Sequence, residues 1–463
     1  MLFGLLALLV GTLFAGYTVA KVLRDSMFLA EYGAVALPWG YLGVALASIA
    51  VVALDARLTA RLARTGATAL GQFIAIACSL AFAALYPFHK HLVAGVFYVW
   101  AGSQAMMLLS YFWLLALELW DSRRAQAILP MFSGAGLLGG VLGGGFANWA
   151  VGRIGIDGLL WSLAAFLILA RLITNVLDRR LPVRPFLTQA GTGTSRLAIL
   201  RRSSFLRYLA GTLALSVVVS TLVDFQFKYA AQQAFPDSHS LTRFLGLFYA
   251  GLNGLALVVQ FGVAGWILRR TGVFFSALPQ PLAIFAFATW IIFSPIFGVI
   301  FALRWIQGVM FQTVGKSSFE LYFMAVSPAE RQKIKPALDA VVERLADAVV
   351  GITLLIILHT LGVDMRFVAA LTAVTAACWL VMLIRLQRRY VSEFRHSLEQ
   401  HRSDLPITAA GLRLPAARRA LLAALKSEDE TQILLALDLA SQVRHRKIVS
   451  AVEACLERGS PPV

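Results

Sequence analysis

Residues 178–204 read DRRLPVRPFLTQAGTGTSRLAILRRSS. The stretch holds Pro182, Pro185, Gly191, Gly193 and six Arg, and it has no long apolar run. Proline and glycine at this density stop helices, so the segment reads as a basic linker. The chain on either side is different in kind. A bilayer core takes about 20 apolar residues per helix. Six such runs precede the linker, at roughly 2–30, 36–54, 67–87, 92–119, 128–150 and 157–177. Six follow it, at 205–230, 242–268, 273–294, 297–323, 336–358 and 364–386. Two six-helix halves joined by a polar linker form a plan in which internal repeats pack around a central cavity.

Composition agrees. The chain has 463 residues, 59% hydrophobic and only 14% charged, with a mean hydropathy of +0.75. Soluble chains are about 25% charged, and a soluble globule could not hide this much apolar surface. A cytosolic enzyme and a secreted disulfide scaffold are both excluded. The first 20 residues lack a basic leader region and a small-residue cleavage site, and read as an uncleaved first membrane helix.

The net charge of +17 sits largely in the connections. Arg57, Arg61, Arg64, Arg123, Arg124, seven Arg from 179 to 207, Arg269, Arg270, Arg331, Lys333 and Lys335 all fall on one side. The other side holds Arg24, Lys90, Arg153, Arg243 and Arg366. Cytoplasmic loops collect Lys and Arg. The expected topology is therefore a multi-pass protein of a bacterial inner membrane with both termini cytoplasmic. The fold class expected is all-α, major-facilitator-like, with twelve transmembrane helices in two six-helix pseudo-repeats plus a short cytoplasmic helical tail. The expected divisions are an N-terminal bundle 1–177, a linker 178–204, a C-terminal bundle 205–386 and a tail 387–463.

The halves echo one another. Leu117-Glu118-Leu119-Trp120 is followed by a basic turn and Pro130, and Phe319-Glu320-Leu321-Tyr322 by a basic turn and Pro336. Helix one carries Lys21 and Asp25, and helix seven Asp224 and Lys228, each pair four residues apart. Ionisable groups inside a membrane are costly and normally face a cavity or a partner. Lys21, Arg24, Asp25, Glu118, Asp224, Lys228, Lys316, Glu320, Lys335, Asp339 and Glu343 are the candidate substrate-binding residues on that ground. The i,i+4 pairs could equally be closed within one helix. Lys335, Asp339, Glu343 and Asp347 form a stripe on helix eleven, and Arg304, near the outer end of helix ten, has the reach to snorkel.

Seven glycines between 134 and 145 read as close helix packing, not as a phosphate loop, since no strand precedes them. No catalytic or metal-ligand spacing stands out, and no cofactor or enzyme activity is expected. The tail shows helical periodicity at 415–425, 428–442 and 445–457, in the manner of short HEAT-like units.

The stretch Lys21-Val22-Leu23-Arg24-Asp25-Ser26-Met27-Phe28-Leu29 resembles the first-helix signature of the ATP/ADP translocase (nucleotide transporter) family. So do Phe112-Trp113 through Gly134, and Lys333-Ile334-Lys335-Pro336-Ala337-Leu338-Asp339-Ala340-Val341-Val342-Glu343-Arg344-Leu345. The family exchanges nucleotides on a twelve-helix major-facilitator-like fold, and its bacterial relatives often carry HEAT-like tails. Pro336 and Ala337 stand where the exchangers show glycine and lysine. The function expected is a secondary transporter of an anionic solute, nucleotide-like or another organic anion, working by alternating access. The alternative is a non-transporting scaffold, or a lipid-handling subunit, that recruits a protein partner through 406–463. The expected partners are a small anionic solute or lipid and the membrane; a nucleic-acid role is unnecessary.

Overall fold

The computed structural model describes residues 2–59, 64–119, 122–180, 203–264, 274–323, 326, 334–335, 338–360, 362, 364–399 and, in the tail, 422, 433, 437, 440 and 450–453. Most of the linker and most of the three expected tail helices lie outside the described residues. Among the described residues the chain is helical throughout its long elements. They are α1 (Leu2–Tyr32), α2 (Leu37–Thr59), α3 (Arg64–Leu85) and α4 (Lys90–Leu119). Ser122–Asp178 is one continuous run broken at Gly155, and we call its two parts α5 and α6. Gly155 has φ +69°, a left-handed conformation that glycine reaches without a Cβ penalty, so the chain reverses there without a loop. After the linker come α7 (Ser204–Ala234), α8 (Ser238–Val259), α9 (Pro279–Phe293) and α10 (Phe297–Met310). The last two are α11 (Glu343–Thr360) and α12 (Met365–Glu399).

Each expected span has its helix. Nine stretches among the described residues are long and apolar enough to cross a membrane, and one of them, Pro130–Asp178, is the α5–α6 pair. α4 and α11 occupy the two remaining places. Large apolar side chains such as Leu46, Leu142, Trp161, Leu247, Val258 and Val374 are exposed around the helices, as a lipid-facing surface requires. The protein is a multi-pass membrane protein. α12 runs to Glu399, past the expected end at 386, because its charged last turns continue the helix beyond the apolar stretch.

Successive helices alternate in direction. The α1–α2, α7–α8 and α11–α12 turns therefore share one end, here the far end. The start of α1, the end of α6, the start of α7 and the end of α12 share the near end. Ser203 caps α7 by accepting from the Leu206 amide at 3.2 Å, and Asp237 caps α8 by accepting from the Ser240 amide at 2.8 Å. Three helices in the second half contain a π-turn: Gln260–Ala264 continues α8, Phe311–Gly315 continues α10 into Lys316–Phe323, and Leu338–Val342 precedes α11.

The crowded glycines do pack helices. A Cβ on Gly139 would lie 2.0 Å from the Gly11 carbonyl oxygen, and one on Gly143 2.4 Å from that of Ala15, so this row seats α5 on α1. A Cβ on Gly144 would meet the Gly246 carbonyl oxygen at 2.6 Å, and one on Gly140 the Asn253 side chain at 2.7 Å, so the adjacent row seats α5 on α8 across the two halves. Small residues at this spacing let backbones touch where lipid gives no hydrophobic drive to association. A Cβ on Gly145 meets nothing within 4 Å. Gly139→Ala should cost about 1–3 kcal/mol of stability by overpacking, read as a lowered melting temperature in detergent, while Gly145→Ala should be near neutral. Equal melting of the two variants would refute the packing assignment.

Candidate functional site

The site is built where α1, α7 and α10 meet. α1 brings Lys21, Arg24 and Asp25; α7 brings Asp224 and Lys228; α10 brings Arg304. Spacing alone leaves open whether Lys21–Asp25 and Asp224–Lys228 close within their own helices. One does and one does not. Lys228 Nζ lies 2.7 Å from Asp224 Oδ2 on its own helix, and 2.9 Å from Asp25 Oδ1 on α1. Lys228 is 0% exposed. Its ammonium therefore ties the N-terminal half to the C-terminal half through two carboxylates.

Each carboxylate has further partners. Asp25 Oδ1 accepts from Arg24 at 2.8 Å, and Asp25 Oδ2 accepts from the Tyr249 hydroxyl at 2.8 Å. Asp224 Oδ1 accepts from Arg304 Nη2 at 2.8 Å, and Asp224 Oδ2 from the Tyr41 hydroxyl at 3.3 Å. Arg304 also donates to Gln307 Oε1, and Gln307 Nε2 donates to Ser220 Oγ at 2.8 Å. The snorkelling reading of Arg304 is thus corrected. Arg304 is buried and faces Asp224, because an available carboxylate in the protein interior outcompetes a reach toward the headgroups.

Lys21 stands apart. It makes no ion pair with a described carboxylate, and its ammonium lies 4.2 Å above the ring of Tyr249. Arg24 lies over Tyr98 at 5.1 Å, and Lys228 lies 5.6 and 5.8 Å from the rings of Tyr98 and Tyr41. Ring faces attract cations, and more so where water is excluded. Four cations, Lys21, Arg24, Lys228 and Arg304, thus meet two carboxylates, Asp25 and Asp224. Among the described residues the cluster thus holds more basic side chains than carboxylates.

Above it, at the far end, Gln232 of α7 clasps α1. Its Nε2 donates to the Leu29 carbonyl at 2.7 Å and its Oε1 accepts from the Ala34 amide at 2.7 Å. Below it, Thr221 donates to Asp347 at 2.7 Å, and Arg344 pairs with Asp347 at 2.9 Å.

Of the other expected site residues, Glu343 lies 3.6 Å from Arg344, and Lys335 lies 5.9 Å from the Phe323 ring. Both belong to elements other than the three helices that build the cluster. The side chains of Glu118, Lys316, Glu320 and Asp339 lie outside the described residues. The even four-residue stripe on helix eleven is interrupted, because the π-turn Leu338–Val342 shifts the register between Lys335 and Glu343. The tyrosines Tyr41, Tyr98 and Tyr249 and the amides of Gln307 and Gln232 escape a reading of the sequence. As uncharged residues in apolar runs they give no signal of their own.

Removing one member of a buried ion pair strands its partner. Lys228→Ala should therefore lower stability by roughly 3 kcal/mol. Lys228→Met combined with Asp25→Asn should recover part of that loss. Denaturation followed by tryptophan fluorescence in detergent checks both. A double variant no better than the single one would contradict the pairing across the halves.

Comparisons with known proteins agree with the fold. The family model described as "TLC ATP/ADP transporter" matches residues 187–390. No curated protein matches in sequence. Among solved structures, the chain is similar to a variant of the nucleoside transporter NupG, at 14% identity and a TM-score of 0.63, over 83% of this chain and 100% of that one. It is similar to a POT family transporter in complex with 5-aminolevulinic acid, at 10% identity and a TM-score of 0.61, over 84% of this chain and 96% of that one. It is also similar to a D-xylose-proton symporter, at 15% identity and a TM-score of 0.57, over 82% of this chain and 96% of that one. All three of these structures are of proteins described as transporters or symporters. The chain is a multi-pass membrane protein of the major-facilitator fold, and from 187 to 390 it carries the sequence pattern of the ATP/ADP transporter family.

Proposed function

We propose that the protein is a secondary transporter that moves an anionic solute by alternating access. The observation that carries the reading is the charge balance of the α1–α7–α10 cluster, four cations against two carboxylates. Holding net charge inside a low-dielectric span is unfavourable, and an anion seated among Lys21, Arg24 and Lys228 relieves it. Guanidinium and ammonium groups are what a carboxylate or phosphate group recognises. Nucleotide-like solutes and other organic anions both fit that chemistry.

The same geometry supports a coupling between binding and movement. The Asp25–Lys228 pair and the Gln232 clasp join the halves at the far end, while α5–α8 and α2–α11 form the long seams between them. An arriving anion competes with Asp25 for Arg24 and Lys228. Each exchange of partners loosens the tie between α1 and α7, and the halves rock about the glycine-lined seam. In this reading the division is a bundle 1–177, a linker 178–204, a bundle 205–386 and a tail 387–463. The near end faces the cytoplasm of a bacterium, following the charge bias of the connections.

A ligand that binds only the folded protein raises its melting temperature, by about 2.7 kcal/mol of stabilisation at a hundredfold excess over Kd. Purified protein screened with ATP, ADP, inorganic phosphate and citrate should show a rise with at least one of them. Lys21→Gln should abolish that rise while leaving the ligand-free melting temperature unchanged, since Lys21 holds no described carboxylate in place. A full set of anions without effect would overturn the anionic reading, and a rise retained by Lys21→Gln would overturn the site.

A further inference from the structure

We infer that the C-terminal tail is a clamp on the near end of the second half, holding the end pieces of α10 and α11 against α7 and α12. The observation is a single apolar cluster. Phe205, Leu206 and Leu209 at the start of α7, Tyr322 and Phe323 at the end of α10, Leu338 before α11 and Leu386 on α12 are buried in it. Ala440 of the tail is buried in the same cluster at 7% exposure. Leu422, Leu437, Ala451 and Val452 pack against it. Leu437 and Ala440 are each helical and stand three residues apart, the spacing of one face in the helix that the sequence periodicity expects at 428–442. The described residues of the tail are therefore seated on their own chain.

The clamped pieces are the parts of the second half best placed to move. Lys316–Phe323 is set off from the rest of α10 by the π-turn Phe311–Gly315, and α11 begins with the π-turn Leu338–Val342. π-turns break the regular ladder of a helix and are frequent at functional sites. The described tail residues thus share one apolar cluster with these two pieces, the start of α7 and α12, near the point where α12 runs past its apolar stretch. Burial of apolar surface is what holds it, so its grip is released by any change that makes that face polar. The consequence for transport, a restraint on opening at the near end, rests on the alternating-access reading; the docking itself does not.

Hydrogen exchange read by mass spectrometry on the full-length protein in nanodiscs tests the docking whatever the protein transports. Ala440→Asp places a carboxylate in the cluster. It should speed exchange by about tenfold at 319–323 and 338–342, leaving 137–167 in the first half unchanged. Glu453→Ala, at an exposed tail position, should leave both regions as they are. If Ala440→Asp unfolds the protein, the milder Leu437→Ala decides, with the same regions read. Faster exchange in the tail with 319–323 and 338–342 unaltered would overturn the clamp. That failure would leave the anion screen untouched, so the two readings fail separately.

Discussion

Burying a charge in a membrane protein is tolerated only where a partner or a cavity receives it, and the contact between Lys228 and the two carboxylates Asp25 and Asp224 is where this chain meets that constraint. One ammonium satisfies an aspartate from each half. The remaining cations are arranged around that bridge. Arg24 takes the second position on Asp25, Arg304 the second on Asp224, and Lys21 is left to the face of Tyr249. Buried ion pairs are weak sources of stability, because desolvation offsets most of the attraction. Their value here lies in specificity. They fix which faces of α1, α7 and α10 look at one another, and they concentrate positive charge at the junction of the halves.

The packing elsewhere makes that junction attainable. α5 touches the backbone of α1 through Gly139 and Gly143, and the backbone of α8 through Gly144. α1 is thereby held in the first half while α5 and α8 keep the two halves in register. An aromatic stack of Phe227, Phe244, Phe248, Phe301 and Trp305 fills the space between α7, α8 and α10, which fixes Tyr249 beneath Lys21. A polar relay then runs down α7, from Asp224 through Arg304 and Gln307 to Ser220, with Thr221 facing Asp347 of α11. Displacement at Asp25 is thus connected through contiguous contacts to the helices of the second half that carry π-turns.

Much of the fold is legible in the sequence because hydropathy is a direct record of the bilayer. The positions of the spans follow from where apolar runs stop. The glycine rows are legible too, since only packing explains small residues at that spacing inside a span. The charged cluster is legible in part. Lys21, Arg24, Asp25, Asp224 and Lys228 declare themselves as charges in apolar surroundings. Their pairing does not, because an i,i+4 spacing looks the same whether it closes on its own helix or reaches across. Arg304 is misread from sequence because a position near a helix end suggests snorkelling, and only the neighbouring Asp224 reveals otherwise. The stripe on helix eleven misleads for another reason: a four-residue repeat assumes an unbroken α-helix, and a π-turn lies within it.

The Lys228 bridge holds α1 and α7 together at the far end, and a distance across that end tests this most directly. With Cys78, Cys378 and Cys455 replaced by serine, spin labels at Val35 and Gln233, both exposed, report the separation of α1–α2 from α7–α8 in nanodiscs by pulsed electron resonance. A short, narrow distribution is expected in the parent protein and a longer, broader one in Lys228→Gln. The same distribution in both would contradict the bridge as the tie between the halves.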